Sequence, residues 1–404
     1  MEQISNLIKF SSTGFLPLEE KSRRNNNQQK LTIGIPKETD AFENRVPLIP
    51  QSVGLLVANG YKVLIEEEAA YAAGFSNDDY LAVGGEIANT PLEVFNSDII
   101  CKVAPPSREE VQWMGKRKIL ISALNLTQQD KAFFQALKEG KHTCFSYEYI
   151  RDKSGIHPVV HGISEITGTS VMYIAAELMA GSQFGKGRLL GGFPGIAPTE
   201  VVVLGAGTVA EYTIRTAISL GASVKVFDNS LYRLRRIRNL VGKGIYTSTI
   251  QPDIMRTALH NADVVVGAMY SRTALSPLLV SEEMVCEMKE GAVIVDVSID
   301  QGGCFETSYA TNHDKPTFVK CGVTHYCVPN IASRYPLTGS QVLSNSLTDI
   351  LLKIGEAGSA ENSIRFDEGL RNGVYLYHGI ITKPQIGNYF QFSYQDINLL
   401  LTAL

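Results

Sequence analysis

The stretch EVVVLGAGTVAEYTIRTAISLGASVKVFDNS, residues 200–230, holds the densest set of residues able to do chemistry. Its apolar run VVVL stops at Gly205, and Gly205, Gly207 and Ala210 have the spacing of a phosphate-cradling turn between a strand and a helix. Gly205 permits the tight turn, Gly207 lets the backbone approach a pyrophosphate, and Ala210 is small enough for close helix–strand packing. An anion there meets the free N–H groups and the positive dipole end of the helix. Asp228 ends the next strand, SVKVFD, where a carboxylate accepts both ribose hydroxyls and repels a 2′-phosphate. The pattern favours NAD(H) over NADP(H). Arg233, Arg235 and Arg236 follow closely and could host a phosphate.

Three other places carry candidate chemistry. In DIICKVAPP, residues 98–106, an apolar run stops on Lys102 before Pro105 and Pro106. A cation there is either a solvated strand tip or a clamp for an anionic substrate group. Asp300, Gly302 and Gly303 follow the strand-like GAVIVDVSI, and ligands of parallel sheets bind at such carboxyl ends. Asp300 reads equally as a turn former. His157 and His161 in HPVVH stand four apart, but the glutamate of H-E-x-x-H is missing and Pro158 disfavours a continuous helix. No metal site is expected. Neither a G-x-S-x-G elbow nor a P-loop is present.

These residues need elements to position them. LTIGIP, YKVLIEE, DIICKV, KILISAL and HTCFSYE read as strands, while PLIPQSVGLLVANG, DDYLAVGG and KAFFQALKEG read as helices with glycine stops. The alternation predicts an α/β fold: two Rossmann-like domains with parallel sheets, helices on both faces, and long helices linking them. The long helices are expected at 164–181, with Ser164 as N-cap, and at 338–354. Residues 1–30, polar around RRNNNQQK, are expected to be a mobile tail. Residues 31–158 and 337–404 are expected to form a substrate domain, and 159–336 an NAD-binding domain across a cleft.

Composition narrows the functional classes. Against 41 Asp+Glu stand 37 Lys+Arg, a formal charge of -4, which leaves no basic footprint for nucleic acid. No apolar stretch reaches the ~18–20 residues of a bilayer span, and no signal peptide is expected. The cysteines, Cys101, Cys144, Cys286, Cys304, Cys321 and Cys327, are scattered without a C-x-x-C. They read as reduced core thiols in a cytoplasmic protein.

Several stretches in order, IGIPKETDAFENRVPLIP (33–50), SEITG (164–168), VVVLGAGTVAE (201–211), VDVSIDQGGCFE (295–306) and HYCVPNI (325–331), make the chain resemble the alanine dehydrogenase/pyridine nucleotide transhydrogenase family over about residues 31–404. The resemblance is closer to the alanine dehydrogenase branch. It implies NAD-dependent oxidative deamination of a small L-amino acid, alanine to pyruvate and ammonia, with amino and keto acids as the small-molecule partners. It also implies a homo-oligomer, a hexamer or a dimer. By the same resemblance Arg45 grips the substrate carboxylate, a task suited to a guanidinium fork. Asp300 faces the nicotinamide and the reacting carbon, Ser164 and Asn330 line the cofactor, and Asp228 binds ribose. Lys102 matches the first of two family lysines. The second, the catalytic one, falls on Ala104, and the family's active-site histidine falls on Asn125. Three explanations follow: acid/base chemistry supplied by Asp300, Lys102, His161 or Tyr147; a pocket for another amino or imino acid; or an NAD(H)-binding regulatory protein. A transhydrogenase-like hydride carrier is the alternative enzyme.

Overall fold

The computed structural model describes residues 31–181, 185–242, 244–270 and 276–402. The tail expected over residues 1–30 lies outside the described residues. The chain divides after Val159 and after Gly339: Val160–Gly339 forms one compact unit, and the segments on either side of it form another.

The first segment supplies strands β1 (Thr32–Ile35), β2 (Lys62–Glu66), β3 (Glu86–Ala88), β4 (Ile99–Cys101), β5 (Ile119–Ser122) and β6 (Thr143–Ser146). Helices α1 (Pro50–Ala58), α2 (Arg108–Trp113) and α3 (Lys131–Glu139) lie among them. Helix α4 (Pro158–Ala180) carries the chain into the second unit, which holds β7 (Glu200–Leu204), β8 (Ser223–Phe227), β9 (Tyr246–Ser248), β10 (Val264–Gly267), β11 (Val293–Asp296), β12 (Thr317–Lys320) and β13 (Val323–Tyr326). With them come α5 (Thr208–Ser219), α6 (Leu231–Val241), α7 (Pro252–Asn261) and α8 (Glu282–Cys286). Helix α9 (Pro336–Glu356) returns the chain to the first unit, which ends with β14 (Val374–Tyr377) and β15 (Ile380–Ile381).

The sheet of the outer segments runs β15-β14-β6-β5-β4-β1-β2-β3, and that of Val160–Gly339 runs β12-β13-β11-β10-β7-β8-β9. Pairing is parallel from β3 to β6 and from β9 to β13, with β14–β15 and β12 antiparallel at the edges. In each sheet the order reverses at the first strand, β1 or β7. Crevices at such switch points, outside the carboxyl ends, are where α/β sheets bind ligands.

Strand residues alternate faces, and both faces of the second sheet are covered. Val201, Val203, Val264 and Val266 enter one buried cluster, while Val202, Leu204 and Val265 enter the other. Burying such a side chain contributes about 1.5–3 kcal/mol, so continuous apolar runs like VVVL are stable only as central strands.

Two expectations are corrected. Helix α4 begins at Pro158, so Ser164 lies inside it and does not cap it. Proline suits a first helical turn, where its missing N–H would have had no partner. Among the cysteines, Cys101, Cys144, Cys304 and Cys327 are buried thiols, but Cys286 and Cys321 are exposed and joined as a disulfide.

Candidate functional site

In the second unit the glycine loop sits at the carboxyl end of β7. Gly205 has φ 112°, and a Cβ there would lie 2.4 Å from the Ala268 carbonyl oxygen just past β10. Only glycine meets both demands. Gly207 caps α5, and a Cβ on it would meet nothing within 4 Å. The first N–H groups of α5 are therefore approachable. Ala210 is buried, and a Cβ at Gly168 of α4 would lie 2.3 Å from the Val209 carbonyl oxygen, so α4 crosses tightly over this loop.

Asp228, 4% exposed, follows β8. Its Oδ2 accepts the Ala206 N–H at 2.8 Å and its Oδ1 accepts the Ser230 N–H at 2.7 Å. These bonds fix the carboxylate against the loop. Arg233 stands 3.7 Å from Oδ2. Arg236 instead pairs with Glu211 at 2.7 Å and donates to the Ala206 carbonyl at 3.3 Å. An approachable helix N-terminus beside a fixed carboxylate fits a dinucleotide with an unphosphorylated ribose.

Asp300 is exposed, in the 3₁₀ turn Val297–Gln301 after β11, and Gly302 and Gly303 follow with φ 93° and 83°. The sequence reading overlooked Asp296, the buried residue that holds this loop. Its carboxylate accepts the Ser298 N–H at 3.0 Å and the Cys304 N–H at 3.1 Å. Burial nonetheless raises its pKa. The Ser298 hydroxyl accepts the Met269 N–H at 2.9 Å, tying the segment after β10 to that after β11. Asn330 follows β13 in the left-handed region, φ 57°. Gly205, Asp228, Asp300 and Asn330 thus all stand past carboxyl ends of one sheet. Ser164 is half-buried in α4. His161 Nδ1 lies 3.2 Å from Glu165 Oε1, and Glu165 Oε1 also accepts the Tyr212 hydroxyl at 2.5 Å.

In the first unit the segments after β1 and β4 meet at its switch point. Lys102 is neither a solvated tip nor an open clamp: its ammonium is fully buried, 2.7 Å from Glu110 Oε1 and 3.4 Å from Glu38 Oε2. The run after it explains why. Ser107 and Glu110 form a capping box on α2, with the Ser107 N–H donating to Glu110 Oε2 at 2.6 Å. Glu110 therefore caps its helix with one oxygen and holds Lys102 with the other. Glu38 accepts the Val103 N–H at 2.7 Å and the Ala104 N–H at 3.3 Å. Arg45 is buried, with Nε 2.7 Å and Nη2 2.5 Å from the two oxygens of Glu43. The Tyr147 hydroxyl donates to the Val103 carbonyl at 2.6 Å. Asn125, φ 44°, follows β5, and its N–H donates to Glu148 at 3.3 Å.

This cluster sets Glu38, Glu43 and Glu110 against Lys102 and Arg45, one carboxylate more than cations. Burial pushes the Glu38 carboxyl up to about 7, against the pull of Lys102 and the Val103 N–H. Burial works to lower the Lys102 pKa, but Glu38 and Glu110 hold it above its ordinary value. Burial also raises the Tyr147 phenol well above the usual range. Glu38 and Glu43 lie inside the IGIPKETDAFENRV stretch from which the sequence reading took only Arg45. Glu110 was signalled by the S-x-x-E spacing of SREE.

A cavity of about 370 Å³ lies at the amino ends of β10 and β11 among Lys186, Arg188, Asp263 and Lys289. Its cations are engaged: Asp263 takes Arg188 at 2.5 Å and Lys289 at 3.0 Å. It stands at the wrong end of a parallel sheet for the chemistry above.

Comparison with known proteins identifies the family and the fold. Residues 34–167 match the family model described as "Alanine dehydrogenase/PNT, N-terminal domain", and residues 171–384 match "Alanine dehydrogenase/PNT, C-terminal domain". An alanine dehydrogenase of Bacillus subtilis is 35% identical over 90% of this chain and 96% of its own length. A solved L-alanine dehydrogenase has TM-score 0.85 and 32% identity, covering 89% of this chain and 99% of that one. A transhydrogenase from Sinorhizobium meliloti, TM-score 0.76 at 22% identity, covers 87% of this chain and 99% of its own and shares the fold. With both family models together spanning most of its length, the chain belongs to the alanine dehydrogenase/PNT family.

Proposed function

We propose that this protein is an NAD-dependent dehydrogenase that oxidatively deaminates a small L-amino acid, L-alanine, to its keto acid and ammonia, reversibly. The observation that carries the reading is the fixed Asp228 carboxylate beside the approachable N-terminus of α5 at the switch point of a parallel sheet. Bound NAD⁺ supplies a hydride acceptor. Asp228 holds the ribose hydroxyls, and the N–H groups following Leu204 face the pyrophosphate. Asp300, Asn330 and Ser164 serve the reacting end of the cofactor. Arg45, its plane fixed by Glu43, grips the substrate carboxylate.

Ala104 and Asn125 cannot do the acid/base work that the family resemblance assigns to a lysine and a histidine. Glu38 is the titratable group bonded to the Ala104 N–H and held near neutrality, and a general base works best with a pKa near the operating pH. It is the proton acceptor in this reading, and Lys102 is a positioning residue that keeps its charge in balance. Losing a general acid or base costs ~10²–10⁴-fold, so the altered pocket slows turnover without abolishing it. The same two substitutions favour a second reading, an NAD(H)-binding regulatory protein or a transhydrogenase-like hydride carrier. Steady-state assay separates them: NADH formed with L-alanine supports the dehydrogenase, hydride exchange between nucleotides supports the carrier, and NADH binding without turnover supports the regulator. The family resemblance also supports a cytoplasmic homo-oligomer, a hexamer or a dimer, to be checked by sedimentation.

A further inference from the structure

Outside the sites described, Glu282, Cys286 and Cys321 stand out. They are exposed, and one ligand atom from each lies within 4.8 Å of the others. The two cysteines are 35 residues apart in sequence and come together because the β12–β13 hairpin turn abuts the C-terminal end of α8. That turn has two residues, Cys321 and Gly322, with φ 54° and 72°. Such a turn demands left-handed conformation at both positions and prefers Asn, Asp or Gly at the first. Cysteine is a poor choice there for backbone reasons, so the turn is not what selects its sulfur. The Gly322 carbonyl accepts the Gly291 N–H at 2.7 Å, which fixes the turn to the start of β11. Glu282 is set by its own N–H donating to Glu306 at 2.7 Å. Lys320 lies 2.8 Å from Glu282 Oε2 and holds that carboxylate in place beside the sulfurs. The other four cysteines are buried and inert by comparison.

We propose that Cys286, Cys321 and Glu282 form a redox-gated site for a soft divalent cation such as Zn²⁺. Reduced, the two thiolates and the carboxylate supply three ligands, and water completes a tetrahedral shell. Metal binding releases the thiol protons to solvent. Oxidised, the sulfurs bond to each other and the site closes. A low-molecular-weight disulfide serves as the oxidant: it takes the two electrons and two protons of the thiols and leaves as two free thiols. The site lies at the amino-end side of the sheet, away from Asp228 and Asp300, so its test does not depend on the dehydrogenase reading.

The test is Co²⁺ titration of the full chain, reduced and then freed of reductant under inert gas, read by the thiolate-to-cobalt charge-transfer absorbance, with Zn²⁺ displacing the Co²⁺. One equivalent is expected in the reduced wild type and none after treatment with an oxidising disulfide. Cys321→Asn, which suits the turn better than cysteine, and Cys286→Ser should each weaken binding by about tenfold or more. Glu282→Gln should weaken it by less. The thermal midpoint followed by circular dichroism, measured alongside, should be unchanged in all three and shows that they fold. No thiolate band in the reduced wild type, or equal affinity in Cys321→Asn, overturns the proposal.

Discussion

Asp228 uses both carboxylate oxygens to accept backbone N–H bonds, and these fix it beside the glycine loop, where the proposed reading has it bind a ribose. Asp228→Ala should weaken NAD⁺ binding by about 10- to 100-fold, because hydrogen bonds to a charged group contribute about 1.5–3 kcal/mol, and should narrow the preference over NADP⁺. Asp228→Asn, which keeps one acceptor oxygen, should lose less. Calorimetry decides, and unchanged affinities would remove Asp228 from the site. Glu38 offers a second test. Its folded-state pKa of about 7 lies above the ordinary 4.5, so between those values the folded protein binds more protons than the unfolded one. Its contribution to stability is full below about 4.5 and is lost as pH rises through about 7. Around it, Lys102 and Arg45 are held above their ordinary values by the facing carboxylates, and burial raises the Tyr147 phenol well above its own. Relative to Glu38→Gln, the wild-type thermal midpoint should therefore fall as pH rises from about 5 to about 8. Parallel profiles would place the proton elsewhere. At this scale Gly205, Gly207 and Asp228 were readable because their roles follow from chain-local spacing. Glu38 was not, because its partner Lys102 follows a different strand; the S-x-x-E spacing signalled Glu110 as a cap but not as the partner of a buried Lys102.

Elements decide how near these residues come to each other. Gly168 lets α4 cross α5 within reach of the Val209 carbonyl. Gly168→Ala should cost about 1–3 kcal/mol, the usual range for overpacking, measured by urea denaturation, and should weaken NAD⁺ binding by displacing the start of α5. Wild-type stability in that variant would mean the helices separate freely. The segments after β4 and β5 carry Ala104 and Asn125, the two departures from the family pattern. Asn125 is in the left-handed region, which histidine tolerates better than most side chains. Ala104→Lys with Asn125→His is thus compatible with the backbone and should raise alanine turnover. A fall would show a pocket shaped for another substrate. Strand runs such as VVVL were legible from apolar continuity. The true start of α4 was hidden by Pro158, which reads as a breaker until the helix is known to begin there.

At the scale of the whole molecule, each unit places its candidate site residues at the carboxyl side of its own parallel sheet, at a switch point visible only once strand order is known. Alternating patterns in the sequence disclosed two α/β series, but periodicity does not specify which strand lies in the middle. The pairing of Cys286 with Cys321 was invisible for the same reason, since spacing along the chain says nothing of a hairpin tip meeting a helix end. Among the described residues no helix is long and apolar enough to cross a membrane. The most direct test of the dehydrogenase account is reduced-nicotinamide absorbance with the purified protein, NAD⁺ and a panel of small L-amino acids, repeated in reverse with keto acids, ammonia and NADH. The account predicts NADH formation with L-alanine and NADH loss with pyruvate and ammonia, both reduced in Glu38→Gln. Binding of NAD⁺ with no absorbance change for any acid in either direction would contradict it.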